Sequence, residues 1–215
     1  MGTLIVTDSC CDLPLSFMEE HQIPAIGLTF TLNGKEYTDD LGKTIDSKSF
    51  YDAVRQGATP TTSQINTEEF LQFFKKYLER GQDILYIAFS SALSGTYNSA
   101  RIARDMLKSD YPDRTITVID SLCASMGQGL LVYKAVQLLQ QGYSHEELVQ
   151  WVEDNKLKIN HWFTVDDLNH LKRGGRLSGA SAFIGTILDI KPVLHVNDEG
   201  RLIPVEKVKG RKKSL

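Results

Sequence analysis

The chain has 215 residues, of which 41% are hydrophobic and 24% charged, and a formal net charge of −3. That length buries a sizeable core in one large domain or two small ones, and the near-neutral charge gives nucleic acid no general electrostatic footprint. The three cysteines (Cys10, Cys11 and Cys123) have no C-x-x-C spacing, which excludes a zinc or disulfide framework and fits a reducing cytosol. Residues 1–7 run straight into a strand-like pattern rather than a signal peptide, and no apolar run reaches membrane-spanning length. A cytoplasmic protein without a membrane span is expected.

Residues 4–7 (L-I-V-T) read as a buried strand. The loop D-S-C-C-D-L-P follows, and Pro14 opens a helix with Leu15 and Met18 on its apolar face. Residues 26–32 alternate loosely as one strand, and Asn33-Gly34 is a hairpin signal returning through residues 35–38. A helix is predicted over 48–56, capped by Asp46 or Ser47 and stopped by Gly57. Residues 58–64 (A-T-P-T-T-S-Q) read as a polar, proline-broken loop. Asn66 and Glu69 have capping-box spacing and open a helix over 67–80, whose Phe70, Leu71, Phe74, Tyr77 and Leu78 form a core stripe.

Residues 83–89 (D-I-L-Y-I-A-F) are a second buried strand, and the turn S-S-A-L-S-G feeds a helix from Thr96. Free backbone N–H groups, a positive helix end and several hydroxyls converge there, which suits a carboxylate or phosphate. Taken alone, the turn is explained as well by Ser94 or Thr96 capping the helix. Residues 115–119 form a further strand ending in Asp120-Ser121. Helices follow over 126–140 and, boxed by Ser144 and Glu147, to Asn155. Strand, loop and helix repeated three times predict an α/β fold with a parallel sheet and helices on both faces. Ligands of such sheets lie beyond the carboxyl ends of the strands. Asp8-Ser9, Ser90-Ser91 with Ser94, and Asp120-Ser121 all fall there, so a small polar or anionic group is expected.

A boundary near residue 158 divides an N-terminal α/β domain (1–158) from the start of a second, smaller α/β domain (159–215). In the latter, residues 161–164 read as a strand and 165–171 as a short helix. In K-R-G-G-R-L-S (172–178), Gly174 and Gly175 allow a backbone nest, and Arg173 and Arg176 suit an anion. A glycine-closed helix end is the plainer account of that stretch alone. Residues 179–189 are mostly apolar and small, and 191–196 with 202–207 form a hairpin across 197–200. The closing lysine and arginine run reads as solvated.

Absent motifs narrow the chemistry. There is no G-x-G-x-x-G after a strand and no G-x-x-x-x-G-K-[ST]; A-L-S-G-T lacks the first glycine of a nucleophile elbow. The five histidines show neither H-E-x-x-H nor a triad order. No cofactor or metal is expected, and binding fits better than catalysis. Two other readings stay open: an acyl hydrolase using Ser94 with Asp8 or Asp120, and a phosphate- or nucleotide-binding regulator using Arg173 and Arg176.

Eight short stretches carry a resemblance. They are I-V-T-D-S-C-C-D (5–12), T-S-Q (62–64), S-A-L-S-G-T-Y (91–97), V-I-D-S (118–121), S-M-G-Q-G (125–129), L-K-R-G-G-R-L-S (171–178), I-K-P-V (190–193) and the basic run at 209–213. Together, and in this order, they resemble the bacterial DegV family, the fatty-acid-binding subunits of a two-component fatty acid kinase. The resemblance implies two α/β domains with a single long-chain fatty acid between them. It places the carboxylate at Thr62, beside Ser63, and at Ser94, with the Gly95 N–H nearby and Arg173 and Arg176 near the head group. Ser121, the hydroxyl of the third loop, is counted with them. Residues 180–188, including Phe183, together with Phe30 and Phe163, are expected to line the tail. The resemblance also implies a partner, a dihydroxyacetone-kinase-like fatty acid kinase subunit, that converts the bound carboxylate to an acyl phosphate. Family members continue past the basic run to an H-x-G-P-G histidine linked to the head-group site. This sequence stops at Leu215 without it, so the second domain is expected to be incomplete.

Overall fold

Strand β1 (Thr3–Asp8) leads through a 3-10 turn (Ser9–Cys11) into helix α1 (Leu15–Glu20) and strand β2 (Ala25–Ile26). Strands β3 (Thr29–Leu32) and β4 (Lys35–Thr38), helix α2 (Ser47–Arg55) and strand β5 (Thr61–Ser63) follow. Next come α3 (Thr67–Leu78), β6 (Asp83–Ala88), α4 (Thr96–Leu107), β7 (Ile116–Asp120), α5 (Met126–Gln140) and α6 (His145–Asn155). The chain closes with β8 (Trp162–Thr164), α7 (Leu168–Arg173), β9 (Ile190–Val196), β10 (Leu202–Lys209) and α8 (Arg211–Ser214). The structure, a computed structural model, describes residues 2–165, 168–176 and 190–215.

The predicted parallel sheet is present as four strands in the order β2-β1-β6-β7. Side chains alternate along each strand, so the sheet builds two cores. Ile5, Leu85, Ile87 and Ile119 face α5 and α6, where Leu131, Val132, Ala135, Leu148 and Val152 are buried. Val6, Ile84, Tyr86, Ala88 and Val118 face α3 and α4, burying Phe70, Phe74, Leu78, Ala100 and Leu107. Each large side chain buried in this way contributes about 1.5–3 kcal/mol. Helices therefore cover both faces, as the repeated strand–loop–helix pattern requires.

Two small antiparallel sheets flank this body. One has the order β4-β3-β5; its hairpin turns at Asn33 and Gly34, both with positive φ (51° and 77°), the geometry that an Asn-Gly hairpin adopts. The other has the order β10-β9-β8. In it Pro192 lies beyond the end of β8, where β9 has one neighbour, and Pro204 lies on an edge strand next to a register shift.

Three expectations need correction. Residues 58–64 are not all loop: Thr61–Ser63 pair antiparallel with Thr29–Thr31, an all-polar edge strand that carries no apolar signal. Residues 26–32 are not one strand. Ala25–Ile26 joins the parallel sheet beside Thr7 and Asp8, and Leu28 breaks away because its N–H bonds Ser9 Oγ, 3.1 Å away, and its carbonyl accepts from Asp39. The short helix expected over 165–171 is Leu168–Arg173, so Arg173 closes it. The expectations for Leu177, Ser178, Phe183 and the tail-lining stretch 180–188 lie outside the described residues. No helix among the described residues is long and apolar enough to cross a membrane.

Candidate functional site

The chain leaves β1 toward β2 on one side and β6 toward β7 on the other, so the strand order reverses between β1 and β6. Ligand crevices of open α/β sheets form beyond the carboxyl ends of such a pair. Here those ends carry Asp8-Ser9 and the loop 89–95.

Asp8 bridges the reversal. Its carboxylate is fully buried and accepts from Tyr86 O–H (2.7 Å), Phe89 N–H (2.9 Å), Cys10 N–H (3.1 Å) and Gln128 Nε2 (3.1 Å). Burial raises its pKa above the usual 3.8, against the opposing pull of those donors. The same burial, with the Asp8 charge beside it, pushes Tyr86 well above its ordinary value. Gln128 also donates to Thr7 Oγ1 and the Ile87 carbonyl, tying α5 across both strands.

The start of α5 is shaped by close approaches. A β-carbon on Gly127 would fall 1.6 Å from His161 Nε2, and one on Gly129 would fall 2.5 Å from the Cys11 carbonyl oxygen. The S-M-G-Q-G stretch thus has a physical reading that its sequence did not disclose: two glycines admit neighbours, and the glutamine between them binds the strands.

The serine loop lies on this foundation. Ser90 N–H bonds the Cys123 carbonyl (3.0 Å), Ser90 Oγ donates to the Gly200 carbonyl (2.9 Å), and Ser91 N–H bonds Asp120 Oδ1 (3.1 Å). Ser94 Oγ accepts from Thr96 N–H (3.2 Å) and lies 2.9 Å from Thr96 Oγ1, which itself accepts from Ile65 N–H (3.4 Å). Thr96 is fully buried and Ser94 half-buried. Either hydroxyl can be the donor between them; with Thr96 donating, Ser94 receives two hydrogen bonds and its own hydrogen is left for a further acceptor. The cap position of α4 is Gly95 and carries no side-chain cap bond, so Ser94 sits one residue before the cap and bonds the first N–H of the helix.

Gly95 is what brings the T-S-Q strand alongside. A β-carbon there would fall 1.9 Å from Gln64 Oε1, and Gln64 Nε2 donates to Ser99 Oγ (3.2 Å). Thr62, Ser63, Ser94 and Gly95 are thus gathered around Gln64, the last residue of T-S-Q, and Thr96, expected from the sequence only as a cap. Thr62 pairs with Phe30 and shares its face, whereas Ser63 pairs with Thr29 and points to the other. An open pocket of about 400 Å³ beside Thr62 is lined by Ser9, Leu13, Phe30, Ile45 and Phe50.

The other predicted residues stand differently. Ser121 is fully buried, and its Oγ accepts from Cys123 N–H (3.1 Å) within its own turn. Arg176, expected at an anion, instead donates Nε to the Leu93 carbonyl (3.1 Å) and Nη1 to the Gly174 carbonyl. Arg173 is exposed at the end of α7. Phe163 packs with Leu93, Val196 and Leu202 below the serine loop, while Phe30 stacks on Tyr37 (5.3 Å) in the β4-β3-β5 sheet. The two aromatics expected along one tail therefore belong to separate clusters.

The comparisons with known proteins agree with the motif order. The family model that matches, described as an uncharacterised protein of the DegV family, covers residues 3–215. A DegV domain-containing protein of Clostridium perfringens is 50% identical over 212 residues, spanning 99% of this chain and 73% of its own length. A fatty-acid-binding DegV family protein from Thermus thermophilus superposes with a TM-score of 0.86 at 36% identity, covering 100% of this chain and 74% of that one. A stearic-acid-binding protein from Eubacterium ventriosum superposes at 0.88 with 30% identity, covering 100% and 73%. With the motifs in order, the reversal of strand order and these relatives in hand, the chain belongs to the DegV family.

Proposed function

We propose that this protein binds one long-chain fatty acid and presents its carboxylate to a separate kinase of the dihydroxyacetone-kinase type. The observation that carries the reading is Ser94: a half-buried hydroxyl at the sheet's reversal point that accepts from Thr96 N–H and lies 2.9 Å from the buried Thr96 hydroxyl, which can donate to it and leave the Ser94 hydrogen for a ligand. Thr62, the Gly95 N–H and Arg173 complete the head-group set, and the open pocket beside Thr62 leaves a carboxylate reachable by a phosphoryl donor. Phe163, partly buried against Leu93, offers apolar surface near the serine loop. An acyl tail gains about 0.8 kcal/mol for each buried CH₂, so the tail supplies affinity while the head group needs only to avoid being a buried unpaired charge. The relatives described as binding fatty acids support the same ligand. The division near residue 158 belongs to this proposal, with the Leu93–Val196–Leu202 cluster as the seam between the two units.

The acyl hydrolase reading finds no support in the geometry. Among the described residues no histidine or carboxylate accepts from Ser94; Asp8 is spent on four donors, and Asp120 on the N–H groups of Ser91 and Leu122. A nucleophile needs a base within hydrogen-bond reach. Native mass spectrometry of the protein as purified tests the proposal. One bound mass in the fatty-acid range is expected, and oleate binding with 1:1 stoichiometry after delipidation. Turnover of acyl esters, lost in Ser94→Ala, would overturn it.

A further inference from the structure

Ser94 is useful to a ligand only if its loop is held still, and two side-chain contacts grip that loop from outside the parallel sheet. At one end Ser90 Oγ donates to the carbonyl of Gly200, at the tip of the β9–β10 hairpin. The fit is tight: Gly200 has φ +74°, and a β-carbon there would fall 2.1 Å from Ser90 Oγ and 3.1 Å from Leu122 Cα. At the other end, one residue before Ser94, the Leu93 carbonyl accepts from Arg176 Nε, while Nη1 of the same guanidinium holds the Gly174 carbonyl. Between the two grips the Leu93 side chain is buried against Val196 and Leu202.

We infer that Arg176 and Gly200 are positioning residues: they clamp the Leu93–Ser94 backbone from the second half of the chain and set the Ser94 hydroxyl for the ligand, without touching the ligand themselves. A guanidinium is suited to this because its planar fork serves two carbonyls at once, which an ammonium on a flexible stem does not. The inference rests on the fatty-acid reading above and assigns Arg176 a different part from that of an anion partner. It also explains why a hairpin tip rich in polar residues needs a glycine at 200: any side chain would push the tip off the loop.

The test uses the 215-residue chain, delipidated, with oleate and oleyl alcohol as probes and thermal unfolding as a control. Arg176→Met is expected to weaken oleate binding about tenfold, the worth of one charge-assisted hydrogen bond. Arg176→Lys is expected to behave like Arg176→Met, because it keeps the charge but loses the fork. Both variants keep the wild-type preference for oleate over oleyl alcohol, since the residue that meets the carboxylate is Ser94. In a Ser94→Ala background, Arg176→Met is expected to cost less than about twofold more, the non-additivity of residues acting as one unit. Gly200→Ala should repeat the Arg176→Met phenotype without altering any charge. Should it unfold, Ser90→Ala removes the same contact from the other side. Wild-type affinity in Arg176→Lys, loss of the acid-over-alcohol preference in Arg176→Met, or strict additivity with Ser94→Ala would each overturn the clamp. Failure of wild-type protein to bind oleate would instead remove the fatty-acid reading on which the clamp rests.

Discussion

The loop after β6 and the loop after β7 are worded alike and work differently. Both leave the carboxyl rim of the same sheet, and both contain serines near an aspartate. In the β7 loop, Ser121 Oγ accepts from Cys123 N–H, and Asp120 Oδ1 takes the N–H groups of Leu122 and Ser91, so its polar atoms serve the loop and its neighbour. In the β6 loop, Ser90 is likewise committed, to Gly200, but the Ser94 hydroxyl lies beside a buried Thr96 hydroxyl that can supply its internal bond and leave the Ser94 hydrogen for a ligand. The difference lies in a third residue, Thr96, at the first turn of a helix. Counting hydroxyls at a rim is therefore less informative than asking which hydroxyl has a buried neighbour that donates to it.

The sharpest way to break the comparison is to remove the acid that holds the start of the β6 loop through Phe89 N–H. Asp8→Ala strands the Tyr86 hydroxyl, the Phe89 N–H and one Gln128 contact in a buried place. Each stranded group costs about 1–3 kcal/mol, so a loss on the order of 3 kcal/mol or more is expected in urea unfolding. A variant as stable as wild type would show that Asp8 does not anchor the β6 loop. Next in size, Ser94→Ala is expected to weaken oleate binding about tenfold to a hundredfold with unfolding unchanged. Ser121→Ala is the mirror experiment: about 1 kcal/mol of stability lost and oleate affinity within about twofold. If the two serine variants exchange these phenotypes, the assignment of roles is reversed.

The smallest effect concerns pH. His145, at the start of α6, lies between Thr3 Oγ1 (3.2 Å) and Thr117 Oγ1 (2.7 Å), and burial holds its pKa below 6.5 despite Glu146 and Asp83 nearby. His161 is shifted the same way by burial against α5, with the His195 charge adding to it and an Ile159 backbone contact opposing. A depressed folded-state pKa means that the unfolded chain takes the proton first. Stability is therefore full above about pH 6.5 and falls as pH drops through the folded-state values. His145→Gln should flatten part of that slope in melts between about pH 5 and pH 7. An unchanged slope would place the proton uptake elsewhere.

Local signals in the sequence survived folding well. The Asn66/Glu69 and Ser144/Glu147 boxes both close, with 2.7 Å and 2.8 Å bonds from the cap N–H groups, and Asn33-Gly34 turns its hairpin. Such features depend on residues within four positions of each other. What escaped reading depends on partners far along the chain. Thr61–Ser63 is a strand because Thr29–Thr31 lies beside it, not because it is apolar. Arg176 suits an anion by its charge, and what the sequence does not announce is that its Nε reaches a carbonyl 83 residues away. Gly127 and Gly129 gave no turn signal because their role is to leave room, and the neighbours that need the room are His161, just before β8, and the turn after β1.

The opening turn of α5 has a consequence for how this protein tolerates change. Its successive residues face three separate neighbours: His161, the cluster of Thr7, Asp8 and Ile87, and the Cys11 carbonyl. A helix rotates by about 100° per residue. One residue inserted between 121 and 125 would thus misdirect all three contacts together, while the helix itself stayed intact. The same insertion at the Gly142 turn, where no neighbour crowds the backbone, would leave them in register. Length, more than composition, is the quantity this segment holds fixed.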